Sequence, residues 1–287
     1  MAIIGNPITL GGGGYASIVV EYPAGSTCTC SNGTKTFTAK DTSGTAVFSI
    51  PSNGLWAVTA TDDTNTQSRT VTISYKGQGE LVYINYSIPT TFKRLEYIGT
   101  TGTQRIMMTL GASKNVFGLR YVVDVYLPTP TTDTEGVLCG YTSGVPYWGL
   151  MLTKNRHLYP MIAASGATAG ATKDELLNTR FTYEMNGSSG TCVVTANGEP
   201  WFSGSYSSRS LSQFGWFYEN GDTRFFATMK MYSAQIYDTD GTTLLRDLYP
   251  VMRLEDNVTG LYDTVSGTFF TNGGSGIFTF AEYGSGQ

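Results

Sequence analysis

The chain has 287 residues, of which 40% are hydrophobic and 14% charged, with a formal net charge of −4. That is enough apolar material for one large or two smaller cores, which excludes general disorder. The charged share lies well below the roughly 25% of ordinary soluble domains, and neither a Lys/Arg run nor a stretch near 18 apolar residues occurs, so nucleic acid and membrane are not expected partners.

Residues 1–14 read MAIIGNPITLGGGG. Ile3, Ile4, Ile8 and Leu10 are interrupted by Gly5, Asn6 and Pro7, with no Lys or Arg before them, so this is not expected to be a secretory signal. Gly11–Gly14 lacks the helix pattern and the Lys-Ser/Thr of a phosphate loop. The segment reads as an attachment tail ending in a flexible glycine linker. A hydroxyl- and glycine-rich composition without an export signal fits a virus particle, which leaves its host by lysis; a cytosolic function or a piece of a longer chain would also fit.

Asn-Gly at 32–33, 53–54, 186–187, 197–198, 220–221 and 272–273, and Asp-Gly at 240–241, predict tight turns with positive φ. Between the first of them lie β-branched and aromatic runs at Ser17–Tyr22, Thr34–Ala39, Ala46–Ile50, Trp56–Ala60, Arg69–Tyr75 and Leu81–Tyr86. Alternation in 56–60 and 70–73 marks strands with one buried face. About seven strands over 15–88 predict a small immunoglobulin-like sandwich, with Thr and Ser on its outward faces. Cys28 and Cys30 face the same way along a strand and would make a strained bridge. With the single His157 they do not supply a zinc site. Pairing of Cys139 with Cys192 is left open.

Residues 89–94 read as a linker, and 95–283 as a second β-rich tract before a frayed end at 284–287. Its strands are expected at Arg120–Tyr126, Gly136–Gly140, Trp148–Leu152, Phe181–Met185, Cys192–Ala196, Phe225–Tyr237 and Thr268–Phe270. Only Lys173–Asn178 looks helical. One large two-sheet sandwich follows, and the absence of strand–helix alternation excludes a Rossmann sheet.

Catalysis finds little material. His157 has no GxSxG elbow to serve, and the carboxylate pairs Asp133/Glu135 and Glu219/Asp222 sit in turn-like segments without further context. Two aromatic loops suit sugar contact better. One holds Tyr141, Tyr147 and Trp148; the other, FGWFYENGDTRFF at 214–226, holds Trp216, Tyr218, Asn220, Asp222 and Arg224. In the second, the Asn220-Gly221 turn is expected to leave Tyr218 and Arg224 accessible, with Phe217 on the face opposite Trp216. Trp201 is expected to be core. No cofactor is implied; calcium is the one ion left open, by Asp62-Asp63 and by Asp238–Gly241.

Two tracts resemble known families. Val20–Ile73, with GSTCTCSNGT, DTSGTAVFSIPSNGLWAVTATD and SRTVTI, resembles carboxypeptidase-regulatory-like or PEGA-type modules, such as those in tail proteins of phages infecting Firmicutes. LEYIGTTGTQRI at 95–106 and MKMYSAQIYDTDGTTLLRDLYPVMRLEDNVTGLYDTVSGTFFTNGGSGIFTF at 229–280 resemble the first strand and the closing segment of concanavalin A-like, laminin-G-type domains in phage and gut-bacterial proteins. The resemblance implies an all-β chain, a small Ig-like β-sandwich followed by a larger concanavalin A-like jelly-roll β-sandwich. It further implies a non-enzymatic virion protein of tail or fibre, an adhesin for host cell-surface glycan. Other virion proteins would hold the N-terminal tail, and a homo-oligomer such as a trimer would suit a fibre. The alternatives are a structural capsid-decorating fibre or tail-scaffold protein without a ligand, and a glycan depolymerase.

Overall fold

A computed structural model describes residues 15–40, 44–129, 136–140, 148–152, 157–162, 168–169, 171–206, 208, 210–217 and 229–282. These residues are nearly all β. Contacts divide the chain into two compact units, Met1–Arg94 with Glu282–Gln287, and Leu95–Ala281.

The first unit contains β1 (Ala16–Glu21), β2 (Thr27–Ser31), β3 (Thr36–Lys40), β4 (Thr45–Ile50), β5 (Gly54–Thr61), β6 (Thr66–Ile73) and β7 (Gly79–Tyr83). They form two sheets, ordered β4-β1-β7 and β3-β2-β5-β6, whose inner faces close on one core. Alternation along each strand decides which side chains enter it. In β2, Cys28 and Cys30 point inward between Thr27, Thr29 and Ser31; in β5, Trp56, Val58 and Ala60 do the same. The outward Thr and Ser satisfy one another across the pleat: Thr59 lies opposite Ser68 and Thr61 opposite Thr66, with oxygens 2.7 and 3.3 Å apart.

An immunoglobulin constant domain groups strands A, B, E and D against C, F and G. Here the second, third, fifth and sixth strands lie together, and β1 runs parallel to β7. The two-sheet architecture is shared; the strand order differs. One turn also behaves differently from its sequence reading. β4 and β5 belong to different sheets, so Asn53-Gly54 carries the chain across the sandwich instead of closing a hairpin.

The second unit takes in most of β8 (Phe92–Thr100), which begins inside the segment read as a linker and within the first unit. It continues through β9 (Ile106–Asn115), β10 (Arg120–Tyr126), β11 (Gly136–Val137), β12 (Cys139–Gly140), β13 (Trp148–Leu152), β14 (Leu158–Ile162) and β15 (Thr168–Ala169). Then come β16 (Arg180–Asn186), β17 (Thr191–Ala196), β18 (Glu199–Ser205), β19 (Ser210–Trp216), β20 (Met229–Tyr237), β21 (Leu244–Arg253), β22 (Thr259–Asp263), β23 (Thr268–Thr271) and β24 (Thr279–Glu282). A large sheet runs β18-β17-β16-β10-β20-β8-β21-β22-β23, with β24 on β8; two small sheets are β12-β19-β9 and β11-β13-β14-β15. Tyr121 and Val123 of β10, Tyr183 of β16 and Met231 of β20 share one core with Met108 of β9, Phe214 of β19 and Leu150 of β13. That is a sandwich of one wide sheet against smaller ones.

Turn chemistry explains the local joins. Asn197 (φ 52) and Gly198 (φ 81) form a two-residue hairpin turn between β17 and β18, the geometry Asn-Gly favours. KDELLN is not a helix. Only Asp174–Leu176 makes one 3-10 turn, because so short a segment cannot repay helix nucleation and Asn178 then takes φ 62. The Cys139–Cys192 bridge is not formed: Cys192 is a free, buried thiol, and burial pushes it up to about 12.

The closing motif is structural. A Cβ on Gly260 would overlap the Phe270 carbonyl of β23. Asp263, fully buried, accepts the amides of Asp247 and Val265 through Oδ1 at 2.9 and 3.1 Å. Its Oδ2 accepts the Ser266 hydroxyl at 2.5 Å and lies 3.4 Å from Arg246 Nε. These contacts tie β21 to the turn after β22.

Candidate functional site on the outer face of the large sheet

Four neighbouring strands, β16, β10, β20 and β8, bring aromatic and charged side chains together on the side of the sheet away from its core. The sequence of β20, MKMYSAQIY, alternates until residue 232 and then changes phase. The structure shows why. Pairing of β10 with β20 shifts register between Asp124 and Val125, leaving Tyr232 as the extra residue of a bulge. Bulges re-aim side chains, and here Tyr232 joins the outer face while Met231 and Ala234 stay in the core.

The resulting contacts form one chain. Arg180 grips Asp124 through Nε–Oδ1 at 2.9 Å and Nη2–Oδ2 at 2.6 Å, and its guanidinium lies 3.7 Å from the Tyr232 ring centroid. Tyr232 meets Tyr97 edge-on at 5.6 Å. The Lys230 ammonium sits 4.3 Å from the Tyr97 centroid and 5.2 Å from that of Tyr126. Burial, only partly offset by Arg180 and reinforced by Glu96, Asp124 and Tyr97, pushes the Tyr232 phenol up to about 12, so it remains a proton donor at neutral pH.

Further along the face Arg120 bonds Glu184 at 2.8 Å and lies 4.7 Å from the Tyr237 ring. The Glu184 hydrogen bond raises the Arg120 pKa against the opposing effect of burial. Tyr237 donates to Gln235, Gln235 to Asp247, and Thr264 also donates to Asp247. Sugar hydroxyls both donate and accept, and this mixed set can answer both roles.

Of the residues picked from sequence, Trp216 is corrected. It ends β19 on the core side, fully buried and edge-on to Phe214 at 4.7 Å, so it is no ligand platform. Phe217 does not alternate to an opposite face: at φ 60 it leaves the strand, donates its amide to Leu138 and is buried near Phe278. Trp148 lies opposite Ile162 in the β13–β14 pair, and its side chain is outside the described residues. Tyr141, Tyr147, Tyr218, Asn220, Asp222, Arg224, Asp133, Glu135 and Glu219 all lie outside them. Trp201 is core, its indole donating to the Ala171 carbonyl at 2.7 Å.

The turn acids are occupied by their own turns. Asp62 accepts the Thr64 and Asn65 amides, and Asp240 those of Thr242 and Thr243. Asp238 pairs with Lys114 at 2.6 Å. Among the described residues no group of three or more His, Cys, Asp or Glu could hold a metal, and no helix is long and apolar enough to cross a membrane. His157 Nδ1 lies 2.8 Å from Asp174 Oδ2 on an exposed edge, and Asp174 also accepts the Leu158 amide.

The sequence reading missed this outer face. Its usable signal was the phase change in MKMYSAQIY, together with Lys and Tyr alternating against Met.

No family model matches the chain, and no curated protein matches it. Among solved structures it is similar to a protein of Bacteroides ovatus described as a "putative carbohydrate binding protein", with a TM-score of 0.46 and 12% identity over 93% of this chain and 91% of that one. A DUF3823 family protein of the same organism matches with a TM-score of 0.21 and 8% identity, over 69% of this chain and 98% of that one. At these scores neither likeness carries an argument about what this chain binds.

Proposed function

We propose that this is a non-enzymatic, glycan-binding protein of a phage particle, a tail or fibre component whose larger sandwich recognises host-surface polysaccharide. The observation that carries the glycan part is the outer face of the large sheet, where tyrosine rings stand among Lys, Arg, Asp, Glu and Gln. Sugars present apolar C–H faces ringed by hydroxyls, and such ligands are held by aromatic surfaces with a few placed polar groups. The particle part rests on the low charge, the abundance of Gly and Tyr and the resemblance of both tracts to modules of phage proteins. Attachment through residues 1–14 to other virion proteins, and assembly as a homo-oligomer, belong to the same reading.

One observation favours a second reading, a structural component without a ligand. Tyr97 and Tyr232 are each only 8% exposed, and Arg180 already lies over the Tyr232 ring, as in a face that stiffens itself. Titration of the full chain with host cell-wall polysaccharide separates the two. Saturable binding, weakened by Tyr126→Ala without loss of melting temperature or release of reducing ends, supports glycan recognition. Absence of binding supports the structural role, and reducing ends released in proportion to protein would establish a depolymerase.

A further inference from the structure

Most described cations of the large unit are ion-paired: Lys114, Arg120, Arg180, Arg246 and Arg253 each meet a carboxylate. Lys230 is different. Among the described residues its ammonium faces the rings of Tyr97 and Tyr126 and no carboxylate. A ring face attracts a cation electrostatically but leaves the ammonium donors without strong acceptors. Its backbone is held between Tyr126 of β10 and Gly99 of β8, which seats the side chain beside both rings.

We infer that Lys230, walled by Tyr97 and Tyr126, is an anion subsite of this face, taking the carboxylate or phosphate group of an acidic polysaccharide. The inference rests on the glycan-binding reading above. An anion on the ammonium would make charge-assisted hydrogen bonds that the ring faces cannot, and these are the stronger kind. The attached sugar ring would then meet the half-buried Tyr126 ring. The neighbouring charges limit the subsite to a single group. Arg180 is already matched by Asp124, and Glu96 of β8 lies close enough to act on Tyr232. The two cations and two carboxylates of the patch therefore sum to no net charge. A polyanion gains little from long-range attraction there, and recognition depends on one anion seated against the rings.

Calorimetric titration of the full chain with polygalacturonate, a glycerol-phosphate polymer and dextran tests this. We expect at least one acidic polymer to bind more tightly than dextran, the carboxylate and phosphate arms identifying which anion is taken. Lys230→Gln should weaken that binding roughly 10- to 150-fold, while Lys93→Gln, which removes a cation paired with Glu282 in the first unit, leaves it unchanged. If Lys230→Gln fails to fold, Lys230→Met keeps the aliphatic stem on the rings and carries the same expectation. Equal affinity for dextran and both acidic polymers, or parental binding by the folded Lys230 variant, overturns the anion subsite and leaves glycan binding standing. Binding to none of the three polymers and to no host cell-wall polysaccharide overturns both.

Discussion

Replacement of Trp216 separates a core role from a ligand role most sharply. The side chain is fully buried, packed edge-on to Phe214, which in turn stacks on Tyr121 at 5.6 Å, and its backbone pairs with Ile106 of β9. Truncating such an aromatic removes its burial and leaves a cavity, so Trp216→Ala should cost about 3–5 kcal/mol. For a unit of this size each kcal/mol lowers the melting temperature by roughly 2–4 °C, giving a fall of roughly 6–20 °C. Trp216→Phe should behave differently. Among the described residues the indole Nε1 has no hydrogen-bond partner, and a buried unpaired donor itself costs about 1–3 kcal/mol. Phenylalanine removes that penalty while leaving a smaller gap, and the two effects should nearly cancel, leaving it within about 1.5 kcal/mol of the parent. Near-ultraviolet circular dichroism during heating, with polysaccharide titration in parallel, reads both quantities. An alanine variant that melts within about 2 °C of the parent yet loses binding would refute the core assignment. A phenylalanine variant as damaged as the alanine one would show that the indole N–H has an acceptor.

Asp263→Ala strands the buried end of the Arg246 guanidinium together with the Ser266 hydroxyl and two amides, and urea unfolding should register a loss of about 3–5 kcal/mol. Gly187→Ala should destabilise by about 1–3 kcal/mol in the same assay, because its Cβ would overlap the Phe117 carbonyl; a neutral result would mean that the turn relaxes. The Thr243 hydroxyl, then the Thr243 and Thr242 amides, hold the Asp240 carboxyl at about 2. A depressed carboxyl contributes stability above its unfolded pKa, near 3.9, and loses it as the pH falls toward the folded value. The Thr242 and Thr243 amide resonances should therefore titrate with a midpoint near pH 2, and a midpoint near 4 would show that the caps are not formed.

Strand alternation was legible wherever one face is buried and the other wet. Trp56-Ala57-Val58-Thr59-Ala60 appears as a strand with the expected buried face, and Arg120–Tyr126 appears as the expected strand, alternating buried and half-buried residues. What sequence could not supply was partnership. β4 and β5 are joined by an Asn-Gly pair yet belong to different sheets, because turn residues fix local φ and not which edge a strand finds. β21 escaped notice for another reason. Pro250, Arg246 and Asp247 interrupt its apolar pattern, and proline argues against a central strand; the Asp247 amide and Arg246 instead serve the buried Asp263.

The site was missed by the same logic that found the strands. Aromatic density in 214–226 suited a ligand only if one face of a regular strand stayed open, but Trp216 follows Phe214 into the core and the positive φ at Phe217 sends that ring there as well. The outer face that does form draws a few residues from each of four strands, spread over more than a hundred positions of the chain. Its members look like ordinary surface residues in any one window. A bulge sets its centre, and a bulge is visible in sequence only as a phase slip of a single residue. Tyr232 makes the consequence physical: without the extra residue opposite Asp124, regular alternation inward from Ala234 would turn its ring to the core side, Arg180 would lose its aromatic partner, and Tyr97 would lose the edge contact that fixes it beside Lys230. The register of one strand pair thus controls whether the tyrosine-walled surface around Lys230 exists at all.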